Sequence, residues 1–188
     1  MMKTELLNCA EKVEIDGVEY PINTDFSVWI EIEQIFLLKE DSERDAARIL
    51  TLAYPHLPHE PKAAFEKVFW FYSGGEGLEK APCRNLGAPL YNLKKDFKYI
   101  WADFYGKFGI DLIKTKMHWW QFRLLLSSLD ENCRFSKIVA YRSVDTSKIK
   151  DKELKGFYEK MKKKYKLLDV RTDQEREEEL AFHLSGAF

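Results

Sequence analysis

The chain has 188 residues, of which 45% are hydrophobic and 32% are charged, and its formal net charge is −1. This composition predicts a folded domain with a sizeable core and excludes a disordered chain. The near-neutral balance also excludes a strong overall attraction to nucleic acid or to an acidic membrane surface.

The cysteines and the apolar runs indicate the compartment. Cys9, Cys83 and Cys133 lie far apart and form no CxxC pair, which argues against a disulfide framework and fits a reducing cytosol. The first residues lack the apolar core of a signal peptide. No apolar run approaches the ~20 residues that a membrane helix requires. We therefore expect a cytoplasmic protein with three unpaired thiols and no membrane span.

A small β-hairpin is predicted near the N-terminus. Residues 13–22 alternate between apolar and polar side chains, and Asp16-Gly17 lies in the middle of this stretch. The Asp-Gly pair readily adopts the positive φ angles of a two-residue hairpin turn. Such a hairpin is marginal alone, so we expect it to pack on another element.

The rest of the chain shows helical periodicity, which predicts a mostly α fold. Pro61 suits the first turn of one helix, and Gly109 suits the end of another. We predict one helical domain over residues 1–168, including the hairpin, and a charged C-terminal helix or arm over residues 169–188. The glycines and prolines of residues 73–91 predict a long loop. The predicted apolar faces lie within residues 28–36, 46–53, 64–72, 93–108, 119–129, 135–142 and 154–165.

No local pattern predicts catalysis, a metal or a cofactor. His56, His59 and Glu60 are the only cluster that resembles metal ligands, but the spacing differs from HExxH and prolines surround it. The glycines of residues 74–77 lack the GxxxxGK[ST] pattern and follow a helix, so a turn is favoured over a phosphate loop. We expect a protein that is not an enzyme and that binds neither metal nor cofactor.

The densest aromatic cluster is His118-Trp119-Trp120-Gln121-Phe122-Arg123. Its helix is apolar on most faces, which favours burial of Trp119 and Phe122 in the core. Tryptophan and arginine are also enriched at interaction hot spots. Trp120 and Arg123 are therefore our candidates for contact with another protein.

A basic stretch and an acidic stretch follow each other near the C-terminus. Residues 148–166 contain nine lysines and three acidic residues, a balance of +6, whereas residues 169–188 have a balance of −4. The lysines with interleaved aromatic residues resemble a nucleic-acid footprint. The alternative is an amphipathic helix, with its aromatic residues toward the core and Lys160, Lys163 and Lys164 on a solvated face. The two stretches can pair within one chain or between chains, and we expect self-association.

Three segments resemble a family of small phage and prophage proteins of Gram-positive bacteria, named after a gene product numbered fifteen. The segments are residues 13–26, the cluster at 118–123, and residues 135–143 with the Phe157-Tyr158 helix that follows. Tyr141 and Arg142 lie in the third segment and are further candidates for protein contact. The resemblance covers roughly residues 13–166. Lys94 and Lys95 depart from it, because acidic residues are expected at that point.

The resemblance implies a function that the residues alone do not indicate. Members are similar to tail assembly chaperones of long-tailed phages, which bind the tape measure protein, keep it soluble, contact other tail proteins and leave before the virion is complete. It implies a non-enzymatic assembly factor in the host cytoplasm. The alternative is a phage protein that binds nucleic acid through the basic helix of residues 148–166.

Overall fold

The computed structural model describes residues 9–38, 42–75 and 89–167. Within these ranges a two-stranded sheet precedes seven α-helices, which confirms the predicted mostly α fold with an N-terminal hairpin. The predicted segment 169–188 and most of the predicted loop 73–91 lie outside the described residues. The elements are β1 (Lys12–Ile15), β2 (Val18–Pro21), α1 (Phe26–Leu38), α2 (Ser42–Ala53), α3 (Pro61–Tyr72), α4 (Phe97–Phe108), α5 (Trp119–Ser127), α6 (Arg134–Ser143) and α7 (Lys152–Lys164), with a 3-10 turn at Thr146–Lys148.

The hairpin forms where the sequence predicts it. The strands β1 and β2 pair antiparallel, with Ile15 opposite Val18. Asp16 and Gly17 adopt φ angles of 50° and 78°, as a two-residue turn between twisted strands requires. Val13 and Ile15 are buried, and β1 packs on α3. The hairpin is thus stabilised by the helices beneath it.

Helix α1 lies at the centre of the fold. Asp25 precedes it, and the Asp25 carboxylate accepts a hydrogen bond from the backbone N–H of Ser27 at 2.9 Å, which satisfies one unpaired donor of the first turn. Trp29 and Ile32 are fully buried. The Trp29 ring stacks on Phe71 with centroids 4.7 Å apart. Helix α1 also packs against α2 and α5, so it joins the N-terminal helices to the rest.

A stack of three phenylalanine rings connects α1, α5 and α4. The Phe122 ring lies 4.8 Å from Phe26 and 5.4 Å from Phe104, measured between centroids. Trp119 and Phe122 are almost completely buried, so their predicted core positions are confirmed. Gly109 ends α4 in the left-handed conformation with φ 68°, as predicted.

Helix α4 begins at Phe97, four residues later than the apolar stripe suggests. The Asn92 side chain accepts a hydrogen bond from the backbone N–H of Lys95 at 2.8 Å, and Asp96 accepts one from the Asn92 backbone at 3.1 Å. These side-chain bonds offer the backbone an alternative to helix. Leu93 is nevertheless buried, because the turn folds it inward.

The burial of Trp119 predicts a large effect of its removal. Trp119→Ala should lower the free energy of unfolding by about 3–5 kcal/mol, because it opens a cavity beside Trp29 and removes the Nε1 hydrogen bond to the Tyr72 carbonyl. Urea denaturation followed by circular dichroism measures the change. As a control, Tyr105→Ala removes a 57% exposed aromatic ring and should change stability by less than about 1 kcal/mol. A Trp119 variant as stable as the parent would contradict its core assignment.

Candidate protein-binding surface

Helix α5 begins at a histidine that also holds the N-terminal segment. Nδ1 of His118 accepts a hydrogen bond from the backbone N–H of Trp120 at 3.0 Å, so Nε2 carries the proton and donates to the carbonyl of Ala10 at 3.0 Å. The backbone N–H of Trp119 donates to the carbonyl of Thr24 at 2.7 Å. The start of α5 is therefore fixed against the segments that flank the hairpin.

Three side chains of α5 bind the C-terminal end of α3. Trp119 Nε1 and Arg123 Nη1 both donate to the carbonyl oxygen of Tyr72 at 2.9 Å, and Trp120 Nε1 donates to the carbonyl of Phe71 at 2.7 Å. The last carbonyls of a helix have no partner within it, so a buried helix end needs such donors. We call this arrangement the α5 clamp.

The α5 clamp contains two of the residues predicted to contact a partner. The partly buried Trp120 ring lies against Trp70, with centroids 5.6 Å apart, and its indole N–H is used within the chain. A Cβ atom at Gly75 would lie 3.0 Å from the Trp120 ring, and one at Gly74 would lie 2.8 Å from Arg123. Both glycines have positive φ, so the predicted turn also permits close packing. The structure thus gives Trp120 and Arg123 internal roles.

A buried carboxyl group that the sequence analysis missed lies beneath the clamp. Glu33 accepts a hydrogen bond from the Tyr72 hydroxyl at 2.9 Å, and its Oε2 has no partner among the described residues. Burial raises the pKa of Glu33 to about 7, against the smaller opposing effects of the Tyr72 hydrogen bond, the Leu93 backbone N–H and the Arg123 charge. The sequence held a signal, since Glu33 falls on the apolar face between Trp29 and Phe36.

Arg142, another predicted contact residue, is instead a buried link between helices. Its guanidinium forms a two-pronged ion pair with Asp96 at 2.7 and 2.8 Å. It also donates to the carbonyls of Tyr165 at 2.6 Å and Leu90 at 3.0 Å. Only 9% of the Arg142 side chain and 2% of the Asp96 side chain are exposed. Arg142 therefore fastens the entry to α4 and the end of α7 onto α6.

Tyr141 lies where α6 meets α7. Its ring stacks on Tyr165 with centroids 6.0 Å apart and meets Phe157 edge-on at 6.0 Å. The prediction that the α7 aromatic residues face the core is confirmed for Tyr165, which is buried, and is wrong for Phe157, which is 46% exposed. Among the described residues, helix α7 packs on α6 and the 3-10 turn, and Phe157 lies on its exposed side.

The three predicted contact lysines lie on α7. Lys160, Lys163 and Lys164 are exposed, as predicted. We call them the basic flank. Lys160 follows Phe157 by three residues and precedes Lys164 by four, so this flank borders the exposed phenylalanine. Of the seven predicted contact residues, these three lysines lie on α7 and Tyr141 and Arg142 lie on α6, whereas Trp120 and Arg123 belong to the α5 clamp.

A surface groove between α2 and α3 is a second site that the sequence analysis missed. It has a volume of about 530 Å³ and an almost entirely apolar lining. The helical spacing of Phe65 and Phe69 predicts a core-facing stripe, and spacing alone does not show that the two rings line a groove. The lining residues are Ala46, Leu50, Pro61, Lys62, Phe65, Glu66 and Phe69.

Neither a metal-ligand cluster nor a membrane helix occurs in the part of the chain that the structure describes. No group of three or more His, Cys, Asp or Glu side chains there is arranged so that it could hold a metal ion. His56, His59 and Glu60 are exposed on the connection between α2 and α3. No helix in those ranges has the length and apolar character needed to cross a membrane. Cys9 and Cys133 are free thiols, and Cys83 lies outside the described residues.

The buried Glu33 predicts a pH-dependent stability. Its pKa is about 7 in the folded chain against an ordinary value of 4.5 for glutamate, so the folded state binds the proton more tightly. Stability should fall as pH rises from about 4.5 to about 7, by about 3 kcal/mol for this group. Glu33→Gln should remove that decline in urea denaturation curves recorded across this range.

A matched control for this experiment is Glu31→Gln, which changes an exposed carboxyl on the same helix. It leaves Glu33 in place and should therefore keep the parent's decline. An unchanged decline in Glu33→Gln would contradict the assignment of the effect to Glu33.

Comparison with known proteins identifies the family. The model of the family described as Bacteriophage Gp15 protein matches residues 6–167, which include the hairpin, the α5 clamp, the α2–α3 groove and α7. No curated protein and no solved structure matches the chain. Since the family model matches most of the sequence, the chain belongs to the Bacteriophage Gp15 protein family.

Proposed function

We propose that this phage protein is a tail assembly chaperone that binds the tape measure protein during assembly of a long tail. The observation that carries the proposal is the apolar α2–α3 groove on the surface of a family member. In the proposed function it acts in the host cytoplasm, contacts other tail proteins as well, and leaves before the virion is complete. The role is one of binding, with no catalytic residue, metal or cofactor.

The α2–α3 groove fits the apolar face of a helix. Ala46 and Leu50 are four residues apart on α2, and Phe65 and Phe69 are four residues apart on α3. Residues at this spacing form a stripe along a helix, so α2 and α3 each contribute one apolar stripe to the groove. An amphipathic helix binds such a groove through side chains at similar spacing.

The tape measure protein suits this groove because it is a long helical protein. An isolated helix with an apolar stripe is prone to aggregate, and a chaperone that covers the stripe keeps it soluble. Lys62 and Glu66 place one charge of each sign in the lining, which suits a helix with mixed charges beside its apolar stripe.

A second candidate function is nucleic-acid binding through α7. The exposed Phe157 ring, bordered by the basic flank, is the observation in its favour, since bases stack on aromatic rings and lysines neutralise phosphates. A salt titration separates the two functions. Binding through α7 should weaken steeply as salt rises, and the Lys160→Ala variant should reduce that slope.

A pair of adjacent alanines on α2 tests the proposed function. Ala46→Glu places a charged side chain in the groove and should weaken binding of the co-expressed tape measure protein by about tenfold or more. Ala47→Glu makes the same chemical change one residue away, on the exposed side of α2, and should change affinity by less than about twofold. Titration of the purified partner measures both affinities, and circular dichroism verifies that both variants fold.

Two results would contradict the proposal. If the parent does not bind the tape measure protein, the chaperone function is wrong. If both variants bind as the parent does, the groove is not the contact surface.

A further inference from the structure

Helix α7 exposes an apolar strip formed by Leu154 and Phe157, which are 49% and 46% exposed. The two residues are three apart, so they lie on one side of the helix. The basic flank borders Phe157 on that side. An apolar strip beside a row of lysines is suited to an amphipathic segment that carries acidic residues.

We propose that this strip is the docking site for the chain's own C-terminal segment, residues 172–188, which binds as a helix antiparallel to α7. The segment lies outside the described residues, so the inference rests on the strip, on charge and on register. It goes beyond the tail-assembly function and does not depend on it.

The charges of the two elements are complementary. Residues 148–166 have nine lysines against three acidic residues, and residues 169–188 have six acidic residues against two arginines. Individual exposed ion pairs contribute only about 0–1 kcal/mol, so charge alone does not hold the segment in place. The segment also carries Leu180, Ala181 and Leu184, which fall on one helical face and can cover the apolar strip.

The chain leaves α7 at a fixed point. Tyr165 is buried, and its carbonyl accepts a hydrogen bond from Arg142 Nε at 2.6 Å. Residues 172–175, Thr-Asp-Gln-Glu, form a capping box that predicts a helix start. The sequence therefore predicts a connection of six residues, 166–171, within the ~2–8 residues that usually join adjacent antiparallel helices.

In the register of such a hairpin, apolar residues of the segment face apolar residues of α7, and acidic residues of the segment face lysines of α7. Both helices advance about 1.5 Å per residue. Two residues that are equally far along the chain from the connection therefore lie at the same height along the paired helices. The first two spacings, four and three residues, are the same on the two faces, and the last is three on α7 and four on the segment. The facing pairs are Asp173 with Lys164, Glu177 with Lys160, Leu180 with Phe157, and Leu184 within one residue of the level of Leu154.

The short connection also favours the segment of the same chain over that of a second copy. A segment tethered by six residues has a local concentration near its site in the millimolar range, whereas a second copy must be present at a comparable concentration to compete. The opposite charges that suggest self-association are then satisfied within one molecule.

Hydrogen exchange of the full chain, followed by mass spectrometry, tests the docking. In the parent, amides of residues 173–184 should exchange about tenfold or more slowly than an unprotected segment. Leu180→Asp should abolish this protection, because the carboxylate faces the apolar strip. Phe182→Asp makes a matched change on the opposite face of the segment and should keep the protection.

The reciprocal change on α7 completes the test. Phe157→Asp should abolish protection of residues 173–184 while α4 and α6 keep theirs, which shows that the domain is folded. An unprotected segment in the parent would overturn the proposal, as would equal effects of Leu180→Asp and Phe182→Asp. Protection that appears only at high protein concentration would assign the site to a second copy. Single-stranded DNA that binds the parent and requires Phe157, with the segment unprotected, would assign the strip to nucleic acid.

Discussion

The fold depends on how the C-terminal end of α3 is held. The carbonyl oxygens of Phe71 and Tyr72 lie inside the protein, where an unsatisfied acceptor costs about 1–3 kcal/mol. Trp119, Trp120 and Arg123 of α5 donate to these carbonyls at 2.7–2.9 Å, and the backbone N–H of Gly74 adds a hydrogen bond of 3.1 Å to the Phe71 carbonyl. This α5 clamp sets the direction in which α3 leaves the core. It thereby sets the shape of the α2–α3 groove, since α3 forms one wall of it.

A second buried interaction fixes the other half of the molecule. The Asp96–Arg142 ion pair is almost fully buried, and Arg142 also donates to two carbonyls. A buried pair contributes little net stability compared with an apolar pair, but loss of one partner leaves an uncompensated charge. Its structural effect is to define where α4 begins and where α7 ends. Because Arg142 binds the Tyr165 carbonyl, it fixes the point at which the chain leaves α7. The proposed docking of the C-terminal segment starts from that point.

The sequence predicts the parts of this structure that local patterns determine. Asp16-Gly17 gives the hairpin turn and Gly109 the end of α4, because the turn requires a positive φ at both of its residues and the helix end requires one at a single residue. Periodicity places Trp119 in the core. The partners of Trp120 and Arg142 are not predictable in this way, because they lie 49 and 46 residues distant in the chain. Both residue types suit an interface and an interior equally well, so composition does not separate the two roles.

The α2–α3 groove is not predictable for a related reason, since periodicity finds an apolar face but not whether another element covers it.

The central structural claim is that the double-tryptophan helix acts inside the chain. Hydrogen exchange of the Trp120→Phe variant tests this most directly, because the substitution removes the indole donor and keeps an aromatic ring. If Trp120 holds the end of α3, hydrogen exchange in the last turns of α3 should become faster while exchange in α6 and α7 stays unchanged. Exchange in α3 identical to that of the parent would contradict the account and return Trp120 to the surface as a contact residue.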